Sequence, residues 1–282
     1  MWYDDDHMKK YCWLNGKVVE VARASLPVND LAILRGYGVF DFLKTVNGKP
    51  FLWREHWRRF GNSAKLLGLK VPVEERVVLA AIRTLFRKNK LKDGSIRLVL
   101  TGGPTPDGMS VVKPSFFILL EDLYVYPPTI FKKGAAVITH EHERVVPEAK
   151  TTNYITAVRL QKEKKRRGAI EILYHAGGQV LECATSNFFI VKAGVIITPQ
   201  AGVLGGTIRN LVIKLARENG LKVEERGVAM AELAIADEAF LTATNKDITP
   251  VVRVDESKVA SGIPGPVTLQ LMALLANFMA GY

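Results

Sequence analysis

Three short segments carry residues whose types and spacing suit covalent and anion-binding chemistry. In "RVVPEAKTTNYITAVRL" (144–160), Lys150 follows a proline-containing loop and precedes a helix start. A lysine there is ordinarily just exposed, but one held neutral by its surroundings is a nucleophile. In "GGQVLECATSNFFIV" (177–191), Glu182 is the one charge in its stretch. It is either a strand-end surface residue or the partner of a buried cation. In "GVLGGTIRNLVIKLA" (202–216), a glycine-rich loop runs into an amphipathic helix whose free N–H groups and dipole suit an anion. An ordinary glycine turn reads the same way, and the loop lacks the Gly-Lys-Ser/Thr ending of a P-loop.

A fourth candidate is Arg35, the one charge in the otherwise apolar "ILRGYGVF" (33–40). A run of that composition reads as built for burial, so Arg35 must reach solvent along its stem or meet an anion. "RGYG" has neither the third glycine nor the following helix of a dinucleotide fingerprint. "THEHER" puts His140 and His142 on one strand face, but no third ligand has suitable spacing, so no metal site is expected.

The elements that must position these residues fall into two lobes. Asn-Gly pairs in "LNGK" (14–17) and "VNGK" (46–49) mark hairpins. Helices are expected near Trp53 to Leu67 and from Val73 to about Asn89, and strands at 95–101 and 115–121 flank the loop "GGPTPDGMSVVKP". The second lobe reads as strands near 135–140, 170–174, 187–191, 195–198, 222–226, 238–242 and 248–253. Its helices are expected from Asn153, from Thr207 to Asn219, and from Pro266. The division expected is an expression-tag remnant at 1–7, a small α+β domain at 8–123, the Pro-rich connection 124–134, and a larger domain at 135–282.

Order and spacing together make the chain resemble the fold-type IV pyridoxal-phosphate (PLP) enzymes, which include branched-chain and D-amino-acid transaminases and aminodeoxychorismate lyase. The likeness runs from about Trp13 to the C-terminal helix and is carried by "HWRRF", the Lys150-to-Tyr154 segment, "LECATSNFF", "GGTIR" and "TATNKDITPV". The resemblance implies a two-lobed mixed α/β fold, a small N-terminal α+β domain with a larger pseudo-barrel-like one, and PLP as cofactor. It makes Lys150 the lysine that bonds covalently to the cofactor and shuttles the proton. Glu182 is then the partner of the pyridine nitrogen, keeping the ring an electron acceptor, and Tyr154 the partner of the phenolic oxygen. The phosphate falls to Arg59, to the N–H groups of Thr207 and Ile208 beyond Gly206, and to the Thr244 hydroxyl. Asn187 matches a supporting asparagine.

The resemblance also frames the substrate question. Bacterial D-amino-acid transaminases of this type hold the substrate carboxylate with a tyrosine, an arginine and a histidine. Phe40, Asp107 and Met109 stand at those places here. Two arginines remain, Arg97 in "SIRLVLT" and Arg35, and both are expected to bind substrate. The implied reaction is transamination between a D-amino acid, such as D-alanine or D-glutamate, and a 2-oxo acid. An L-branched-chain transaminase and aminodeoxychorismate lyase are the alternatives. A homodimer is implied, with the Arg35 loop entering the partner's site.

Composition agrees with such an enzyme. At 282 residues and 48% apolar, the chain can build more than one core. A net charge of +11 favours anionic ligands. The basic run "QKEKKRRG" (161–168) ends a helix without interleaved aromatics, so it reads as a solvated face rather than a nucleic-acid site. No apolar run is long enough to span a membrane. Two cysteines, Cys12 and Cys183, suit a reducing compartment, and a cytoplasmic enzyme is expected.

Overall fold

The computed structural model describes residues 9–282, so the tag-like segment expected at 1–7 lies outside the described residues. The chain divides into two compact units. One holds the residues through Tyr124 together with Ala149–Asn153, and the other holds Val125–Glu148 and Tyr154–Tyr282.

In the first unit, β1 (Tyr11–Leu14) turns into β2 (Lys17–Glu20) through Asn15-Gly16. After α1 (Leu31–Arg35), β3 (Gly38–Val46) turns into β4 (Lys49–Pro50) through Asn47-Gly48. All four turn residues have φ between 45° and 95°, which is what the mirror-image hairpin turn demands and Asn-Gly tolerates. Then come α2 (Trp53–Leu66), α3 (Glu75–Lys88), β5 (Ser95–Thr101) and β6 (Ser115–Glu121). The six strands form an antiparallel sheet in the order β2-β1-β6-β5-β3-β4.

Side chains alternate across this sheet. Val39, Leu43, Ile96, Leu98 and Leu100 share one face with the inward residues of both helices, among them Phe60, Val78 and Leu85, in one buried core. Asp41 lies on that same face. Phe40, Phe42 and Arg97 lie on the opposite one. Backbone bonds from Phe40 N to Lys150 O (2.9 Å) and from Thr152 N to Gly38 O (2.9 Å) dock Ala149–Asn153 on β3. These long-range bonds group Lys150 with the first unit, although its place in the chain put it within 135–282.

Arg35 is not on a buried run. Asp30 caps α1 by accepting from Ala32 N at 2.8 Å, and Gly36, at φ 65°, ends it in the left-handed region. A single helical turn turns only one face inward, so Leu31 is buried while Ile33 and Leu34 are 59% and 40% exposed. The apolar run is thus the end of an exposed helix and the start of a strand, and Arg35 is exposed.

The second unit begins with α4 (Pro128–Lys132), a short helix inside the expected connection, started by a proline in its first turn. It continues through β7 (Ala135–Glu141), α5 (Ile155–Arg159), α6 (Gln161–Arg166), β8 (Glu171–Ala176), β9 (Gln179–Cys183), β10 (Asn187–Lys192) and β11 (Val195–Thr198). The remaining elements are α7 (Thr207–Glu218), β12 (Val223–Glu225), β13 (Val228–Ala229), α8 (Met230–Ala234), β14 (Glu238–Ala243), β15 (Asp247–Val254), β16 (Ser257–Lys258) and α9 (Pro266–Ala280).

Ten strands pair in the order β12-β11-β10-β14-β15-β7-β8-β9-β13, with β16 on β15. The path runs from β12 to β13, and the sheet is a curled half-barrel, in keeping with the pseudo-barrel-like domain expected. Phe188, Ile190, Leu241 and Val251 anchor its core. Among the described residues, no helix is long and apolar enough to cross a membrane.

Candidate active site

The first unit gathers Lys150, Arg59 and Arg97 around β3. Lys150 is held by its backbone, N to Ser63 Oγ at 3.0 Å and O to Phe40 N, and its Nζ lies 4.6 Å from the centre of the Phe40 ring. Beneath, on the helix-covered face, Arg59 donates from Nε to Asp41 Oδ2 (2.9 Å) and from Nη2 to Asp41 Oδ1 (2.7 Å). Arg59 Nη1 makes no hydrogen bond among the described residues. His56 Nδ1 lies 2.7 Å from Asp41 Oδ1, and both side chains are fully buried. Since an ionised carboxylate only accepts, the ring donates from Nδ1.

Burial alone would raise the Asp41 carboxyl, but Arg59 and His56 outweigh it and hold it well below the usual carboxylate range. Burial also pushes His56 down, against the pull of Asp41 and with help from Arg59 and Lys150. The cluster therefore holds a fixed negative charge, a neutral imidazole and an arginine with one N–H edge to spare.

Arg97 does not point a free fork. Its Nε and Nη2 donate to the two carboxylate oxygens of Glu121 at 2.5 and 3.1 Å, and its guanidinium lies against Phe42 (4.9 Å) and Phe40 (5.7 Å). Arg35 makes no ion pair among the described residues; its Nη1 donates to Leu34 O at 3.0 Å. A Cβ added to Gly108 would lie 3.3 Å from Arg35 Nη2, so the guanidinium sits beside the loop that carries Asp107. Asp107 itself is exposed, but its carboxylate is taken up within its own loop. It accepts from Met109 N, Ser110 N, Ser110 Oγ and Thr105 Oγ1, and these bonds, the Ser110 hydroxyl first, hold its carboxyl well below the usual range.

In the second unit, Glu182 is the fixed point. Arg144 Nη2 donates to its Oε1, while Oε2 accepts from Asn187 Nδ2 and Leu204 N, both at 3.1 Å. Asn187 spends its other amide hydrogen on Leu204 O at 2.7 Å. Two strand ends and the loop before α7 are thereby tied to one carboxylate. Gly206, the N-cap of α7, supplies no side-chain acceptor to the helix's first turn, where the positive end of the dipole suits an anion.

A Cβ on Gly206 would stand 1.9 Å from Asn187 Oδ1. Gly206→Ala is therefore expected to push Asn187 off Glu182 at a cost of about 1 to 3 kcal/mol, checked as a lower Tm together with weaker retention of PLP.

Tyr154 caps α5 and is followed by a Val158 N to Tyr154 O bond of 2.9 Å. Its neighbour Tyr174 is pushed up to about 12, by burial first and then by Glu171 and Tyr154. Thr244 opens the three-residue turn between β14 and β15.

Asp41, His56, Arg144 and Tyr174 went unread in the sequence. Asp41 and His56 had a signal, a carboxylate on the inward alternation of an apolar strand and a histidine three residues before Arg59. Arg144 had none, because its partner lies 38 residues on.

Each unit by itself carries groups of the kind a phosphorylated pyridine aldehyde uses: an amine and an arginine with a spare N–H in the first, a carboxylate fixed by three donors and a helix N-terminus in the second. The sequence profile of the amino-transferase class IV family matches residues 38–254. A Methanocaldococcus jannaschii protein, named provisionally as a branched-chain-amino-acid aminotransferase, is 33% identical over 92% of this chain and 93% of its own length. The D-alanine aminotransferase of Listeria innocua is 31% identical over 92% of each. The crystal structure of the Escherichia coli branched-chain amino acid aminotransferase superposes with a TM-score of 0.89 at 29% identity, covering 97% of this chain and 95% of that one.

Proposed function

Since the chain belongs to the class IV aminotransferases, enzymes that use PLP, we propose that it moves an amino group between a D-amino acid, such as D-alanine or D-glutamate, and a 2-oxo acid. Bound PLP supplies the electron sink that lets the amino-acid Cα lose its proton. Lys150 bonds the cofactor and carries that proton, Glu182 keeps the ring nitrogen protonated, and Tyr154 holds the phenolic oxygen. Arg59, Thr207, Ile208 and Thr244 hold the phosphate, while Gly206 leaves room for it and Asn187 steadies Glu182.

The observation that carries the stereochemical reading is Arg35: exposed, without an ion pair among the described residues, and beside the loop whose Asp107 is bound up in its own turn. Arg35 takes the substrate carboxylate, and Arg97 joins it by exchanging Glu121 for substrate. The protein works as a homodimer in the cytoplasm, and Arg35 enters the partner's site. The exposed Ile33 and Leu34 beside it support an interface there, and the two buried free thiols suit a reducing compartment.

A spectrophotometric half-reaction with paired D- and L-amino acids tests the reading. Arg35→Ala and Arg97→Ala are each expected to lower kcat/KM for D-alanine and D-glutamate by about 1.5 to 3 kcal/mol of transition-state stabilisation, the worth of a charge-assisted hydrogen bond. Wild-type kcat/KM in both variants would end the proposal.

One observation favours an L-branched-chain transaminase instead. Arg97 is already neutralised by Glu121, so the Phe40–Phe42 face carries no unpaired second cation and could receive an apolar side chain. Turnover of L-leucine but not D-alanine would establish that second reading.

A further inference from the structure

Lys246 closes the β14–β15 turn, where a lysine is normally in water, yet it is only 2% exposed. Its Nζ is 2.9 Å from Glu171 Oε1, and Glu171, on β8, is 2% exposed as well. Two hydroxyls close the circuit. Lys246 donates to Thr185 Oγ1 at 2.8 Å and to Ser186 Oγ at 3.3 Å, and each hydroxyl donates in turn to Glu171 Oε1.

Taking a lysine and a glutamate out of water together costs more than a well-packed apolar pair of the same size, so such a pair is weak evidence of stabilisation alone. What this one fixes is a turn. Cys183 N donates to Ser186 O at 2.8 Å, closing the connection between β9 and β10. Glu182 is the residue immediately before that turn and Asn187 the one immediately after it. Their side chains meet at 3.1 Å.

We propose that the Lys246–Glu171 pair is a positioning device: through Thr185 and Ser186 it holds the 183–186 turn, and so sets Glu182 and Asn187 together for the ring nitrogen of the cofactor. This rests on the reading of Glu182 given above. The charges around the pair are consistent with it. Burial would neutralise both partners, yet their mutual attraction keeps Glu171 below and Lys246 above their ordinary values. Lys164 from α6 and Cys183 from β9 face the carboxylate, and Tyr126 lies 5.6 Å from the ammonium.

The test uses the PLP-loaded protein, reading the dissociation constant of PLP and the pH midpoint of its visible absorbance. Lys246→Met is expected to weaken PLP binding about ten-fold, as loss of a charge-assisted hydrogen bond does, and to move the midpoint by about half a pH unit as Glu182 shifts. Lys246→Arg, which keeps the charge, should restore both. The double variant Thr185→Val/Ser186→Ala removes the link without stranding a buried charge and should reproduce both changes, and it decides the matter if Lys246→Met fails to fold.

A lower Tm with PLP affinity within two-fold of wild type and an unchanged midpoint, in Lys246→Met and in the hydroxyl variant, would leave the pair a purely structural one and overturn the inference. A wild-type protein that shows no visible band dependent on Lys150 would instead overturn the reading of the cofactor site on which it rests.

Discussion

Lys150→Ala is expected to lower transamination by at least about a thousandfold while leaving the protein folded, because in the proposed function the nucleophile and the proton carrier are the same amine. Folding is spared because the segment is held by its backbone: Lys150 N on Ser63 Oγ, Lys150 O on Phe40 N, and Thr152 N on Gly38 O. None of these bonds needs the side chain. One contact the substitution removes is that of the ammonium over the Phe40 ring, worth about 0.5 to 1 kcal/mol at a partly exposed site.

The visible band of bound PLP should vanish, and borohydride reduction should no longer trap the cofactor on the peptide containing residue 150. There is also a local electrostatic signature. Lys150 is one of the cations that push His56 down, so its removal should raise the His56 pKa, read from the ring resonances by NMR. A variant that kept a PLP-dependent visible band and a rate within ten-fold of wild type would remove Lys150 from its role.

Local signals were legible wherever short-range physics decides the outcome. Asn-Gly between apolar runs gives both hairpins of the first unit, and strands 95–101 and 115–121 appear residue for residue, because alternation and β-branched content need no distant partner. Helices α2, α3 and α7 follow from apolar spacing and end charges in the same way. Arg35 was misread as lying on a buried run because composition does not show that Gly36 turns the chain between Leu34 and Val39. Lys246 carries no signal in the sequence because Glu171 lies 75 residues upstream. The grouping of Ala149–Asn153 with the first unit was hidden for the same reason, since its bonds run to β3 and α2. The enzyme family was visible in the segments around Lys150, Glu182 and the glycine loop. The groups that orient them were not, because an orienting residue is defined by a contact.

Asp41→Asn is expected to destabilise the protein by about 3 kcal/mol at pH 7, since removing one partner from a buried pair strands the others. The amide keeps the shape of the side chain but can offer Arg59 and His56 only one acceptor oxygen in place of two charged ones. The pH dependence makes the prediction specific. The Asp41 carboxyl is held below its ordinary 3.8, so its contribution is fully present above that pH and disappears as pH falls toward the folded-state value.

His56 works in the other direction. Burial lowers it from an ordinary 6.5, so below that pH the unfolded chain binds a proton the folded one does not, and stability declines. In wild type Asp41 opposes that lowering, whereas in Asp41→Asn nothing does, and the decline runs further. The gap between the two proteins should therefore widen from pH 6.5 to about 4 and narrow below it, once the unfolded wild-type chain takes a proton on Asp41 that the folded one does not. Urea unfolding at pH 7, 5, 4 and 3 measures that curve. A gap under about 0.5 kcal/mol at pH 7, or one that kept its size below pH 4, would mean that the buried cluster beneath Lys150 is held by packing rather than by the charge on Asp41.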